Sequence, residues 1–346
     1  MSKTLQDYAT LINDTIQSNE INHYITTDNM CQNLGGIDTF KNINIPQGKV
    51  RSFQKDDVLL SNIRLYFRKV YRAKQKGGCS SDVLVFRAKH IDSATLFAIL
   101  SSQIFTDYAC SGSQGSKMPR GNKTHMMDFK IPTINFTIAK IFNNIQNKIE
   151  NNHKINELLH TLAYKIYEYY FKYKPKNAKL EQIIIENPKS SIMVKNAQKT
   201  QDKYPFFTSG DNILSYPKAI IDGRNCFLNT GGNASIKFYV GKASYSTDTW
   251  CICANEFSDY LYLLLSSIKN HINQSFFQGT SLKHLQKNLL KKYPIYMPSV
   301  HEIKKFNQII MPLLTLISIN TRTSKKLEQI RDFLLPLLLK QQVKPQ

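Results

Sequence analysis

The chain has 346 residues, a formal net charge of +21 and no apolar run long enough to cross a bilayer. Its six cysteines include no CxxC pair and no matching histidine spacing. This pattern argues against a zinc site and, at this length, against a disulfide framework. Because no charged leader precedes an apolar segment, we expect a cytoplasmic protein with reduced thiols.

The positive charge is spread along the whole chain. Residues 1–130, 131–175, 176–300 and 301–346 carry net charges of +6, +3, +7 and +5. Such a distribution favours binding of a long polyanion, for which nucleic acid is the first candidate. A lysine- and asparagine-rich composition inherited from an AT-rich genome is the alternative explanation.

In chain order, the first predicted region is a small module of strands and helices. Apolar runs at residues 58–60, 69–71 and 83–86 predict strands. Gly77-Gly78 predicts a turn between two of the strands. A single apolar face predicts a helix over residues 94–108.

A long helix is predicted after Pro132, where apolar residues recur at steps of three and four. The recurring residues are Ile134, Ile138, Ile141, Ile145, Ile149, Ile155, Leu159, Leu162, Ile166 and Tyr169. This spacing is typical of a coiled-coil seam, on a helix of about 40 residues and roughly 60 Å.

Residues 176–300 repeat the module. Strands are predicted at 183–185, 225–228, 236–240 and 250–253, with a turn at 230–233 and a helix over 259–269. Corresponding landmarks in the two halves lie 164 to 166 residues apart, from Asp82 and Asp248 to Pro132 and Pro298. A period this long indicates two similar domains rather than a solenoid.

A second long helix follows the second module. Its apolar residues are Ile303, Phe306, Ile310, Leu313, Ile317, Leu327, Leu334 and Leu338, and polar Asn320 and Ser324 interrupt the stripe. Pro312 predicts a kink or a later helix start. Because neither stripe can remain exposed, we expect the two helices to pack on each other. An antiparallel pair, which we favour, would place the modules at opposite ends of a rod; a parallel pair would place them side by side.

The motifs of the second module carry a family resemblance. Residues 203–210, 227–233, 243–250 and 277–283 closely resemble a target-recognition domain of the specificity (S) subunit of type I restriction–modification systems. Residues 26–30, 57–64 and 117–121 resemble another variant of that domain. Residues 166–171 and 327–335 are similar to the family's central and C-terminal segments.

The resemblance implies an α+β fold with two target-recognition domains separated by a long antiparallel two-helix coiled coil. We expect target-recognition domain 1 at 1–131, a central spacer helix at 132–175, target-recognition domain 2 at 176–300 and a C-terminal spacer helix at 301–346. Pro312 departs from a regular spacer helix, and the tryptophan often found near the start of each family module is missing.

The same resemblance implies a non-catalytic subunit that binds a bipartite double-stranded DNA target, one half-site per domain. It also implies two adenine-N6 methyltransferase subunits as partners, with translocating restriction subunits in the restricting complex. One alternative is a specificity subunit whose methyltransferase and endonuclease partners are fused in one polypeptide. The other is a coiled-coil scaffold that reads no DNA.

The candidate DNA-binding residues combine basic side chains for phosphates with amides for base edges. In the first module they are Asn62, Arg64, Arg68, Lys117, Arg120 and Lys123. In the second they are Asn229, Thr230, Gly231, Gly232, Asn233, Lys237, Gln278, Thr280, Lys283 and His284. The alternatives are solvated surface charges for the basic residues, a turn role for Asn62 and a simple hairpin for the glycine-rich segment.

Catalytic motifs are missing from the sequence. An adenine methyltransferase needs Asn/Asp-Pro-Pro-aromatic, whereas the single Asn-Pro here, Asn187-Pro188, is followed by Lys189. Residues 115–124 lack the spacing of a phosphate-binding loop. We therefore expect no catalytic residues, no cofactor and no metal.

Overall fold

The computed structural model describes residues 3–38, 43–131, 134–197, 203–210, 213–279 and 282–338. Contacts divide the chain into two compact units. Unit 1 consists of Met1–Glu150 with Leu327–Gln346, and unit 2 is Asn151–Lys326.

Unit 1 contains two small sheets. Its strands are β1 (Ala9–Ile12), β2 (Thr15–Gln17), β3 (Tyr24–Ile25), β4 (Lys49–Phe53), β5 (Val58–Ser61), β6 (Val70–Arg72), β7 (Gly77–Cys79) and β8 (Val83–Ala88). Its short helices are α1 (Leu5–Tyr8), α2 (Ser93–Leu100), α3 (Gln103–Ser111) and α4 (Lys123–Met127). One sheet has the antiparallel order β1-β8-β5-β6, and the other has the order β2-β4-β7-β3, in which β3 and β7 are parallel.

The central strands β5 and β8 are buried on both faces. Val58 and Leu60 face a core that includes Leu96, Phe97 and Leu100 of α2. Leu59 faces a second cluster with Phe53 and Tyr71. Side chains alternate between the faces of a strand, so a strand covered on both sides must be apolar at every position. This arrangement explains the continuous apolar runs that predicted these strands.

Two local predictions for the first module are wrong. The helix expected over residues 94–108 is interrupted at Ser101 and Ser102, because the Ser102 hydroxyl caps α3 by accepting from the Phe105 N–H at 3.2 Å. Gly77-Gly78 lies in β7 rather than in a turn. A Cβ at Gly77 would overlap the His23 carbonyl, so glycine is needed here for close strand approach.

The first long helix, α5 (Phe136–Tyr167), continues into a π-helical turn at Glu168–Lys172. The Asn135 side-chain oxygen accepts from the Ile138 N–H at 3.2 Å, which satisfies one of the unpaired donors at the helix start.

Unit 2 repeats the plan of unit 1. Its strands are β9 (Ala178–Lys179), β10 (Ile185–Glu186), β11 (Tyr204–Phe207), β12 (Leu214–Tyr216), β13 (Arg224–Asn229), β14 (Ile236–Val240), β15 (Ser244–Tyr245), β16 (Thr249–Cys253), β17 (Phe277–Gln278), β18 (His284–Leu285) and β19 (Pro294–Ile295). Its short helices are α6 (Ser258–Ser267), α7 (Lys269–Ser275) and α8 (Lys287–Lys291). The antiparallel order β10-β16-β13-β14 matches β1-β8-β5-β6, and the parallel pair β11–β15 matches β3–β7.

The second long helix, α9 (Val300–Leu338), begins with a reciprocal cap. The Ser299 hydroxyl accepts from the Glu302 N–H at 3.3 Å, while the Glu302 carboxylate accepts from the Ser299 N–H at 2.9 Å. These contacts hold the carboxyl group's pKa below its ordinary value, chiefly through the Ser299 backbone. The helix is continuous through the exposed Pro312, so the later start predicted from this residue is wrong.

Within each unit, α5 and α9 are antiparallel. In unit 1 the Asn135 N–H donates to the Leu338 carbonyl at 3.1 Å, and Arg331 Nη1 donates to Gln146 Oε1 at 3.0 Å. In unit 2, Asn152 bonds to Ser324 and Phe171 packs on Phe306 with ring centroids 4.9 Å apart. Later residues of α5 thus meet earlier residues of α9 in both units.

The buried seam of α5 differs from the predicted stripe. Ile149 lies on the seam, but Ile141, Ile155, Leu162 and Tyr169 are exposed. The buried positions are Ala139, Phe142, Gln146, Ile149, Asn152, Ala163 and Tyr167. The helix is rotated because the polar members of this set make hydrogen bonds across the helix pair, which apolar counting cannot detect.

The predicted stripe of α9 holds at its beginning and shifts further along. Ile303, Phe306, Ile310, Ile317 and Leu338 are buried. Leu313, Leu327 and Leu334 are half-buried, while Leu314, Ser324, Arg331 and Leu335 occupy the buried positions. None of the helices in the described residues has the length and hydropathy needed to span a bilayer.

Candidate nucleic-acid interface

In unit 1, two loops from distant parts of the sequence are joined by backbone hydrogen bonds. We call residues 62–68, after β5, the exit loop, and residues 114–121 the ribbon. The Asn62 carbonyl accepts from the Gly121 N–H at 3.1 Å, and the Arg64 N–H donates to the Pro119 carbonyl at 2.9 Å. Gln114 and Arg120 close the ribbon by exchanging backbone bonds of 2.9 and 2.8 Å.

Unit 2 builds the same pair of loops. Its exit loop, residues 230–235, follows β13, and its ribbon, residues 277–285, contains β17 and β18. The Thr230 carbonyl accepts from the Leu285 N–H at 2.9 Å, and the Gly232 N–H donates to the Lys283 carbonyl at 2.9 Å. Gln278 pairs with His284 across the ribbon. Each bond has its counterpart in unit 1, so the repeat extends to this local geometry.

The turns of the two loop pairs need left-handed backbone conformations. Gly115 and Gly279 in the ribbons have φ of 99° and 141°. Arg64 and Gly232 occupy equivalent positions in the two exit loops, and their φ angles are 50° and 80°. A left-handed arginine is conformationally unfavourable, and such residues concentrate at functional sites.

The loop pair of unit 1 contains five of the predicted residues: Asn62, Arg64, Arg68, Lys117 and Arg120. Arg64 Nη2 donates to the Lys117 carbonyl at 3.3 Å. The exposed guanidinium of Arg120 forms an ion pair with Asp82 at 3.0 Å. Lys123 is exposed one residue after Asn122, the residue that caps α4. These basic side chains form a positively charged rim on the loop pair.

Asn62 and Arg68 lie differently from the surface candidates. The Asn62 side chain is buried, and its Oδ1 has no hydrogen-bond partner among the described residues. Arg68 Nη2 donates to the Ser101 carbonyl at 2.9 Å, at the carboxyl end of α2. Burial lowers the pKa of the Arg68 guanidinium. Arg68 thus interacts with a helix end of its own unit.

In unit 2 the exposed members of the predicted set are Asn233, Gln278, Lys283 and His284. Thr230 is half-buried and donates from its hydroxyl to the Asp248 carbonyl at 3.0 Å. Gly231 and Gly232 form the turn between Thr230 and Asn233. Thr280 lies outside the described residues. The backbone of Gly231 is bridged to His284, which brings the exit loop and ribbon candidates into one patch.

Asn229 and Lys237 are engaged within unit 2. Asn229 is buried; its Nδ2 donates to the carbonyls of Gly231 and Asn233, and its Oδ1 accepts from the Ser235 N–H at 2.6 Å. Lys237 Nζ donates to the Thr208 carbonyl at 2.8 Å and to the Gly210 carbonyl. Asn229 therefore shapes the turn, and Lys237 ties β14 to the segment after β11.

Sequence reasoning missed two exposed residues at the ribbon tips, Met118 and Leu282. Both are apolar, yet 54% and 58% of their surface is accessible. They lie 164 residues apart, the same offset as Gln114 and Gln278. An alignment of the two halves against each other could have found them. Within the described residues, no group of three or more histidine, cysteine or acidic side chains is placed to hold a metal ion.

Comparisons with known proteins bear on the second half of the chain directly. Residues 176–329 match the family described as the type I restriction modification DNA specificity domain. Over this segment the chain is similar to that DNA specificity domain. No curated protein matches the chain.

Solved structures are similar to the chain over nearly its whole length. An S subunit of the type I restriction–modification system from M. genitalium is 14% identical, covers 99% of this chain and 96% of its own, and has a TM-score of 0.64. The HsdS subunit from Thermoanaerobacter tengcongensis is also 14% identical, with coverage of 98% and 96% and a TM-score of 0.37. The likeness to the M. genitalium structure shows that the two chains share a fold.

Proposed function

We propose that this chain is the DNA sequence-specificity subunit of a type I restriction–modification complex. Residues 1–131 and 176–300 would act as target-recognition domains, and residues 132–175 and 301–346 as the helices that connect them. Each domain would bind one half-site of a split double-stranded target. The proposed complex acts on DNA in the cytoplasm.

The duplicated loop pair is the observation that carries this proposal. Each unit presents an exit loop and a ribbon held by the same backbone bonds. Each pair carries exposed basic side chains, Lys117 and Arg120 in unit 1 and Lys283 in unit 2, and the half-buried Arg64 lies beside the first two. Basic side chains supply phosphate affinity, while neighbouring polar side chains such as Gln278 and Asn233 are suited to base edges. Because the two pairs differ in side chains, they would read different sequences.

The described residues hold no metal cluster, and the chemistry that we assign to this chain is recognition. Two adenine-N6 methyltransferase subunits would bind to it, and restriction subunits would join the restricting complex. Exposed apolar side chains on the helix pair support such recruitment. In unit 2 they include Leu158 and Leu162 on α5, Tyr169 in the π-helical turn that follows, and Ile309 and Leu316 on α9. Exposed apolar groups that recur along a helix pair are typical of a protein-binding surface.

Mapping N6-methyladenine across the genome, with and without this gene, tests the proposal. Loss of the gene should abolish methylation at one split, asymmetric motif. Restoring the gene should restore methylation, whereas a version with Lys117, Arg120 and Lys283 all changed to alanine should not. A matched control replaces the exposed helix lysines Lys304 and Lys305 instead. Unchanged methylation after deletion, in a strain whose methyltransferase is active, contradicts the proposal.

A further inference from the structure

The tips of the two ribbons carry the same unusual feature. Met118 in unit 1 and Leu282 in unit 2 are long apolar side chains that remain more than half exposed. A basic residue adjoins each of them in the sequence: Lys117 precedes Met118, and Lys283 follows Leu282. A single exposed apolar residue needs no explanation, but an apolar tip repeated in two independent copies of a basic loop does.

The backbone holds both tips in the same way. In each ribbon a glycine with positive φ lies three residues before the tip residue, Gly115 before Met118 and Gly279 before Leu282. A Cβ added to Gly115 would lie 3.5 Å from the Met118 carbonyl oxygen. A Cβ added to Gly279 would overlap the Leu282 carbonyl oxygen. In both ribbons the glycine thus lies close to the backbone of the tip residue, whose apolar side chain is exposed.

The dimensions and charge of each ribbon indicate where it would meet DNA. The major groove of B-DNA accepts a two-stranded ribbon, and the basic residues beside each tip would face the phosphates at the groove edges. At the floor of that groove the one apolar group on any base edge is the C5-methyl group of thymine. An apolar tip therefore matches a thymine better than any other base.

We propose that Met118 and Leu282 are specificity-determining residues, each contacting a thymine methyl group in its own half-site. This inference rests on the proposed function and adds a base and a chemical group to it. Burying one methyl group against an apolar side chain changes affinity by about fourfold. Each half-site should therefore contain one thymine whose methyl group contributes that factor.

The first experiment selects binders from a pool of random duplexes with the full-length chain, its Leu282→Ala variant and its Met118→Ala variant. The wild-type chain should enrich a split motif with a thymine in each half. Leu282→Ala should lose the preference for one thymine in one half-site and keep the other half-site intact. Met118→Ala should do the converse. Exposed residues outside the ribbons supply matched controls, Leu289→Ala and Ile104→Ala, which should leave the motif unchanged.

The second experiment replaces each thymine of the enriched duplex with deoxyuridine, which removes the methyl group alone. Wild-type affinity should fall about fourfold at the contacted thymine. Leu282→Ala should bind both duplexes equally, and Leu282→Met should retain the discrimination. A variant that still discriminates at every position overturns the inference, as does wild-type binding that is indifferent to the methyl group. If the tip side chain inserted between base pairs instead, wild-type binding would be indifferent to the methyl group and the duplex would be bent.

The two proposals fail in different ways. If the wild-type chain enriches no motif, the proposed DNA-reading function itself is contradicted. If it enriches a motif that Leu282→Ala and Met118→Ala enrich equally well, the function stands and the assignment of the tips is wrong.

Discussion

Asn152 on α5 donates a hydrogen bond to the hydroxyl of Ser324 on α9 over 3.1 Å, and both side chains are buried in unit 2. Replacing Ser324 with alanine leaves the Asn152 amide without this acceptor, which should cost about 1–3 kcal/mol of unfolding free energy. The double variant Asn152→Ala, Ser324→Ala should lose less than the sum of the single changes. Urea denaturation of the four proteins measures this coupling. If the losses of unfolding free energy in the two single variants simply added up in the double variant, the hydrogen bond between Asn152 and Ser324 would contribute no coupling energy.

The buried pair of Arg224 and Asp259 should be sensitive to the loss of one partner. Arg224 donates two hydrogen bonds to the carboxylate and a third to the Thr315 hydroxyl at 3.0 Å. Burial raises the pKa of Asp259, while the hydrogen bonds and charge of Arg224 oppose that rise. Asp259→Ala leaves the half-buried guanidinium of Arg224 without its carboxylate partner, so we expect a loss of about 3 kcal/mol.

The control for Asp259 is the exposed pair of Lys179 and Glu181, whose charged atoms are 4.0 Å apart. Glu181→Ala should change the unfolding free energy by no more than about 1 kcal/mol. Equal losses for the two variants, measured by urea denaturation, would contradict the importance of burial.

Acid should destabilise unit 2 through His160. Burial lowers the pKa of this histidine from its ordinary 6.5, and its Nδ1 lies 3.3 Å from the Tyr262 hydroxyl. The pKa of His160 is lower in the folded state than in the unfolded state. The contribution of the neutral imidazole to the free energy of unfolding is therefore fully present above about pH 6.5. That contribution is lost as the pH falls through the folded value.

The measurement compares unfolding free energies at pH 7.5 and 5.5. His160→Gln should reduce the acid loss, because the buried group that gains a proton on unfolding is then removed. His23, whose pKa burial also lowers, should account for a further part. The exposed His301 serves as the control. An unchanged acid loss in His160→Gln would exclude this group as a cause.

The ribbon of unit 2 should tolerate no side chain at Gly279. This residue has φ of 141°, and a Cβ would overlap the Leu282 carbonyl. Gly279→Ala should therefore cost about 1–3 kcal/mol and impair specific DNA binding. Gly210→Ala is the matched control, because the nearest atom to its added Cβ would be the Thr208 hydroxyl oxygen, 3.5 Å away. Thermal unfolding and binding to the enriched duplex distinguish the two variants.

Salt titration of DNA binding should separate surface contacts from internal ones. Lys117→Ala and Lys283→Ala should each reduce the slope of log affinity against log salt by about 1, because each removes one phosphate contact. Arg68→Ala and Lys237→Ala should leave the slope unchanged and lower the melting temperature, since both side chains bond to backbone carbonyls. The reverse pattern would mean that the loops of these units are not the DNA-facing surface.

The sequence predicts the repeat and the central strands well, because both depend on local apolar patterns. Val83 to Phe86 and Trp250 to Cys253 are apolar throughout since their strands are covered on both faces. The helix seam could not be predicted by counting apolar residues. Gln146 and Asn152 are buried because partners on α9 satisfy their amides, while Leu162 is exposed.

The candidate site was predictable as a set of loops but not residue by residue. Glycines and asparagines mark Asn229 to Asn233 as a turn, and the structure confirms that turn. Whether an amide points outward depends on backbone acceptors nearby, and Asn229 finds two of them within its own loop. Similarly, the sequence alone predicts Arg68 as a surface cation. Only the structure shows that its guanidinium bonds to the carboxyl end of α2.

The exit loop and ribbon are joined through main-chain atoms in both units, as in the bond from the Arg64 N–H to the Pro119 carbonyl. Main-chain bonds do not depend on side-chain identity, so mutations at the tips can accumulate without loss of the scaffold. Arg120 in one unit and His284 in the other already occupy equivalent places. Under the proposed function, new DNA preferences would therefore arise by point mutation in either half while the other half keeps its own.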